Sequence, residues 1–216
     1  MRIIFLFFTI LTFSAIAQLR TTNENTQAWA QYFINIKLKN NWLLMGDIGY
    51  RTQGNFIDQK FQFLTRIGVG KQFSNNLQLA GGYCYFISFQ ENGIERPEHR
   101  FWQQLLTTQN FAKTRIVHRY RLEQRFNRKT SATNLEDGYN FNWRARYQLA
   151  LTTPIYKQLG EANAISFFAQ DEIFLNFGSA IKTNYFDQNR IFVGFGYQFT
   201  PALLVNSGYQ YTFLQR

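Results

Sequence analysis

The chain has 216 residues, of which 24 are Phe, 12 Tyr and 4 Trp, with a formal net charge of +10 and a negative mean hydropathy. That length suits one domain. The lone cysteine, Cys84, excludes an internal disulfide and reads as a small buried or lumenal side chain, and two scattered histidines give no metal signature.

Residues 1–17 read as a signal peptide. Arg2 is a short basic region, Ile3 to Phe13 an apolar stretch, and Ala15-Ile16-Ala17 a small-x-small cleavage site before Gln18. These eleven residues, Thr9 and Thr12 among them, are too few for a membrane helix. No cysteine follows the cleavage site, so a lipid anchor is not expected. The mature chain is expected to be a single domain over 18–216. Removing Arg2 with the signal leaves that domain strongly basic.

From residue 27 the chain alternates apolar and polar residues with period two. Strands are expected near 27–38, 42–51, 59–72, 77–89, 98–109, 114–127, 139–151, 164–177, 187–199 and 203–213. Each is long enough for a tilted strand to cross a bilayer. Ten is the preferred count, with eight and twelve as alternatives. Asn40-Asn41, Ser74-Asn75-Asn76 and Thr200-Pro201-Ala202 are turn chemistry. Pro97, Pro154 and Pro201 are placed in connections, where a missing ladder donor does no harm. The longer connections mostly follow even strands, the reverse of the usual barrel arrangement, which leaves the orientation open.

The segment from Tyr139 to Leu149 shows the alternation most clearly. Tyr139, Phe141, Trp143, Tyr147 and Leu149 share one face; Asn140, Asn142, Arg144, Arg146 and Gln148 share the other. Extended to all strands, the apolar face includes Tyr32, Ile48, Tyr50, Ile67, Val69, Ile191, Val193 and Phe195. The polar face carries Asp47, Arg51, Lys60, Arg66, Glu98, Arg100, Arg119, Arg121, Glu123, Arg125, Arg144, Arg146, Glu172 and Arg190, with Asn176. Placed against lipid, each midplane Arg or Lys would cost about 2–4 kcal/mol. In a lumen these groups pair and stay hydrated. The expectation is an all-β protein, one closed antiparallel transmembrane β-barrel in an outer membrane, with lipid as its surroundings. A secreted soluble β-sandwich binding module is the structural alternative. An exported chain whose arginines fall on one strand face is not expected to bind nucleic acid.

The segment Val117-His118-Arg119-Tyr120-Arg121-Leu122-Glu123-Gln124-Arg125 resembles an uncharacterised family of bacterial outer-membrane barrels, catalogued as domain of unknown function 2490. Trp29, Arg51, Glu98-x-Arg100, Arg144-x-Arg146, Glu172-x-Phe174-x-Asn176 and Gln188-Asn189-Arg190 extend the likeness over most of the mature chain. The resemblance implies a fold and a membrane and brings no activity. The ending Thr212-Phe213-Leu214-Gln215-Arg216 departs from the usual terminal aromatic of such barrels.

Glu98/Arg100, Glu123/Arg125, Arg144/Arg146 and Glu172 are expected to form a cross-strand ladder. Toward the opposite strand ends the polar face turns small, at Gly68, Gly70, Ala80, Gly82, Ala150, Gly194 and Gly196. Arginine suits the ladder because its planar fork grips carboxylates bidentately and keeps its charge. The ladder then either fills the lumen as a structural plug or binding site, or makes a narrow pore that prefers a small anionic solute or headgroup. The competing class is a barrel-embedded, phospholipase-like hydrolase. Parity places His99 and His118 on the apolar face and Ser88 and Ser166 on the polar one, which opposes it. No cofactor is expected: the glycine pairs at Gly68 and Gly194 lack the following helix of a nucleotide site.

Overall fold

A computed structural model describes residues 25–54, 57–90, 93–131, 133–179, 181–182 and 185–214. The expected signal segment, 1–17, lies outside the described residues. Ten strands run in chain order: β1 Gln27–Lys37, β2 Trp42–Gln53, β3 Gln59–Ser74, β4 Leu77–Phe89, β5 Glu95–Phe111, β6 Thr114–Thr130, β7 Leu135–Tyr156, β8 Ala164–Phe177, β9 Phe186–Thr200 and β10 Leu203–Leu214. A single 3-10 turn, Lys39–Asn41, joins β1 to β2, where Asn40 and Asn41 adopt positive φ of 56° and 61°. Asparagine tolerates that region better than most residues.

All ten strands belong to one antiparallel sheet ordered β1 through β10, every neighbour joined by a hairpin. The sheet curls into a half-barrel. The strand count matches the sequence reading. A soluble sandwich does not fit: it needs two sheets face to face, and the described residues form one. Among them no ladder pairs β1 with β10. Both edge strands are accordingly exposed on both faces, with Phe33 and Tyr209 open to the surroundings. Because the strand number is even, β1 and β10 run antiparallel to each other.

Three strands run longer than the alternation alone indicates. β5 begins at Glu95, β6 continues to Thr130, and β7 spans Leu135–Tyr156, so the connection expected over 127–138 shrinks to 131–134. Pro97 and Pro154 therefore lie in strands, contrary to expectation. Each sits where only one neighbour pairs. Pro97 faces Ile87 of β4, whereas pairing with β6 begins at Glu98. Pro154 faces Ser166 of β8, beyond the last β6 partner of β7, Thr152. A missing N–H costs nothing on a side with no acceptor.

Faces follow parity as expected. Tyr32, Ile48, Tyr50, Ile67, Val69, Ile191, Val193 and Phe195 are exposed on the convex face. The concave face buries Leu64, Cys84, Phe86 and Trp102 in one cluster on β3–β5. Trp102 reaches across β4 to lie on β3. A Cβ added at Gly68 would overlap its indole ring, and one added at Gly82 would overlap the Ile67 carbonyl. Of these two facing glycines, Gly68 makes room for the large ring and Gly82 for the close approach of the β3 backbone.

Gly68→Val should force this packing apart and cost about 1–3 kcal/mol by overpacking. A denaturant titration of the folded protein reads this as a lower midpoint at unchanged slope. Gly93→Ala, where nothing lies near the added atom, should cost less, through its φ of 83° alone.

Candidate functional site

The concave face carries a chain of ion pairs that runs across strands. Glu98 on β5 receives two arginine forks. Arg100 gives Nε and Nη2 to its two oxygens, and Arg125 of β6 does the same. Glu123 of β6 accepts Nε and Nη2 of Arg144 at 2.9 and 2.7 Å on one oxygen, and Nη1 of Arg146 at 2.7 Å on the other. Arg146 continues to Glu172 of β8, its Nε donating at 2.8 Å. Arg119 reaches the same Glu172 oxygen from β6, also at 2.8 Å. Arg144 extends the chain the other way, to Asp187 of β9 at 3.2 Å. Near the first strands Arg66 pairs with Asp47 at 3.0 Å.

Burial gives these contacts their weight. Glu123 is 1% exposed, Glu172 3% and Glu98 4%. A charge so withdrawn persists only where its partners replace its hydration. The sequence ladder is therefore brought together, with finer connectivity than expected: Glu123 pairs with Arg144 and Arg146 of β7, and Arg125 of its own strand turns to Glu98. Asp187, absent from the sequence reading, is recruited from the start of β9. An amide row continues the site toward the strand ends, Asn127 donating to Asn142 at 3.0 Å and Asn142 to Asn176 at 3.4 Å. With Arg96 and Arg125 these amides line a cavity of about 450 Å³.

Other cations have weaker or neutral partners. Arg121 donates Nε and Nη2 to the amide oxygen of Gln104 and reaches Glu123 only at 4.0 Å. Arg51 donates to Gln62 at 2.6 Å and lies over the Trp29 ring at 3.7 Å. Arg190 donates to Gln188 and lies over the same Trp29 ring at 4.8 Å. Lys60 lies over Phe89 at 5.7 Å, at the exposed start of β3. Among the described residues four donors are sealed without a hydrogen-bond partner: Arg66 Nε, Trp102 Nε1, Arg119 Nε and Arg121 Nη1. Trp102 stands between two of these cations, its ring 5.1 Å from the Arg121 guanidinium carbon and 6.0 Å from that of Arg66.

Sequence reasoning passed over Trp102 and the placement of Trp29. Their signal was present: large aromatics at polar parity, with glycines or arginines on neighbouring strands. Both histidines lie on the convex face, as parity indicated. His99 contacts the hydroxyls of Tyr83 and Tyr139, and His118 that of Tyr147 at 2.9 Å. Ser88 and Ser166 belong to the concave parity, so no serine meets either histidine among the described residues. Nor does any group of three or more His, Cys, Asp or Glu assemble there to hold a metal.

Glu123→Gln removes the carboxylate that Arg144 and Arg146 share and should cost about 3–5 kcal/mol, the cost of breaking a buried pair from one side. Asp137→Asn, which releases only the exposed Arg128 contact, should leave the unfolding midpoint unmoved. Equal effects from the two substitutions in a denaturant titration would mean that the buried network carries no special weight.

No curated protein and no solved structure matches this chain. The family profile described as "Protein of unknown function (DUF2490)" matches residues 26–216. With that match spanning all ten strands and the whole concave network, the chain belongs to the DUF2490 family.

Proposed function

We propose that the protein is an integral outer-membrane β-barrel without enzymatic activity, closed in the bilayer by β1 pairing with β10, its lumen plugged by the Arg/Glu network. The observation that carries this reading is the inverted distribution of polarity. Large aromatic and aliphatic side chains cover the convex face, while Glu123, Glu172, Arg100, Arg121 and Arg144 are buried on the concave one. In water a single sheet gains nothing by exposing that apolar face. In lipid it gains the whole face, and the charges stay on the side away from hydrocarbon.

The bilayer also demands closure, because unpaired N–H and C=O groups at two strand edges have no water to bind there. An even strand number supports antiparallel closure, and the Trp29–Arg190 contact already spans from β1 to β9. Ten strands make a barrel little wider than an eight-stranded one, whose interior side chains suffice to fill. The fixed ion pairs therefore favour a plug. A narrow anion-preferring pore is the second reading, favoured by Arg51 and Arg190 having only neutral hydrogen-bond partners among the described residues.

The chain refolded in neutral detergent should run on a gel in dodecyl sulfate at two mobilities, folded before boiling and unfolded after. In a planar bilayer it should conduct no steady current. A single mobility with no insertion into vesicles would overturn the barrel. Steady steps with anion preference would overturn the plug in favour of the pore.

A further inference from the structure

We propose that Arg51 and Arg190, gathered on Trp29 where the first and last strands approach, form a binding site for a phosphate-type oxyanion. This rests on the concave face being a lumen, and it names the ligand chemistry that lumen takes.

Seven concave arginines reach a carboxylate: Arg66, Arg100, Arg119, Arg121, Arg125, Arg144 and Arg146. Arg51 and Arg190 reach none among the described residues, and the reason is positional. Arg190 faces Glu172 directly across β8–β9, but the Glu172 carboxylate is turned to Arg119 and Arg146 on its other side. Arg190 donates to the amide of Gln188, and Glu172 and Asp187 attract it without a direct contact. Arg51 faces Gln62 on one side and Trp29 on the other, so its row contains no acid. The charges that act on it most strongly are those of Arg190, Arg100, Arg146 and Arg144. At 9% exposure Arg51 is withdrawn from water among like charges. A buried cation in that setting calls for a counter-anion.

The geometry suits an oxyanion. Both guanidinium groups lie over one indole, at 3.7 and 4.8 Å from its centre, so their carbons are no farther apart than those two distances together. With both groups on one side of the ring, one tetrahedral anion would join them through charge-assisted N–H···O bonds of about 2.8 Å to each fork. Trp29 supplies attraction to both cations but no net negative charge. Among the described residues Arg51 commits Nη1, and Arg190 commits Nε and Nη2, which leaves Arg51 Nη2 and Arg190 Nη1 free. Neither is among the sealed donors of the described residues. All three residues lie near the strand ends where both termini emerge, beside the edges that no ladder joins. A soluble phosphate and a lipid headgroup phosphate both reach the site from the rim, because these residues lie near the strand ends. The recognising chemistry is the same.

The test uses the chain folded in neutral detergent and, separately, in phosphatidylcholine vesicles with and without phosphatidic acid. Inorganic phosphate is titrated at constant ionic strength in chloride, and the unfolding temperature and heat of binding are followed. The expected result is a saturable response that Arg51→Gln or Arg190→Gln weakens at least tenfold, whereas Arg115→Gln, at an exposed position on β6, leaves it intact. Arg51→Lys, which keeps the charge but loses the planar fork, should fall between, and it carries the test if Arg51→Gln does not fold. A response to inorganic phosphate supports a soluble ligand, and a response to phosphatidic acid alone supports a headgroup. No response to either, or an undiminished response in the folded Arg51→Gln/Arg190→Gln double variant, overturns the site. Failure of the barrel reading shows separately, as wild type that neither inserts into vesicles nor changes mobility on boiling.

Discussion

Everything on the concave face depends on keeping buried arginines beside too few carboxylates. Five acids, Asp47, Glu98, Glu123, Glu172 and Asp187, serve seven arginines there. Several contacts skip a strand: Arg119 on β6 meets Glu172 on β8, and Arg144 on β7 meets Asp187 on β9. Next-but-one strands in a flat sheet are roughly 9–10 Å apart. Concave curvature tips their side chains toward each other and shortens that gap. The curl and the network therefore support one another, and loss of either exposes charges that have given up their hydration.

Aromatic rings do the remaining work inside. Guanidinium groups rest over Phe86, Trp102, Phe174 and Trp29, so apolar rings fill the space between ion pairs without competing for their donors. Phe174, 1% exposed, lies within 4.5 Å of both Arg146 and Arg190 and ties the β7 and β9 sides of the network together. A ring admits a cation that no carboxylate remains to neutralise, at lower cost than bare hydrocarbon. Mixed packing of this kind also accounts for Trp102, which sits on Gly68 while two arginines flank it.

Alternation made the faces legible because a strand side chain has only two directions to take. Ten strands and nearly all of the charged cluster followed from that fact. Strand ends did not. The polar stretches 128–130 and 135–138 read as loop, although β6 and β7 extend into them, Arg128 facing Tyr139 and Thr130 facing Leu135 on either side of a register shift. Pro97 and Pro154 read as breaks, although each lies where one neighbour is missing. Partners were not legible either. Parity fixes a face but not a depth, and depth depends on hairpin lengths and on shifts such as the one between Arg51 and Thr52. Trp29 and Trp102 were passed over for a related reason. An aromatic at polar parity looks like an exception until the sheet curls and brings a glycine or a second arginine beneath it.

Charge and backbone pairing run short on neighbouring strands. Glu98, Glu123 and Glu172 stand on β5, β6 and β8, in the middle of the sheet, and they hold most of the arginines around them. The first two and last two strands contribute only Asp47 and Asp187, and each is engaged, by Arg66 and Arg144. Cations without a direct carboxylate contact among the described residues are thus left on β2 and β9, each one strand in from an edge of the sheet. Two guanidinium groups confined there repel each other as well as lacking an acid. Trp29 offsets part of that repulsion by offering its ring to both. An anion between Arg51 and Arg190 would draw β2 and β9 together through their side chains, beside the seam at which β1 and β10 are proposed to pair.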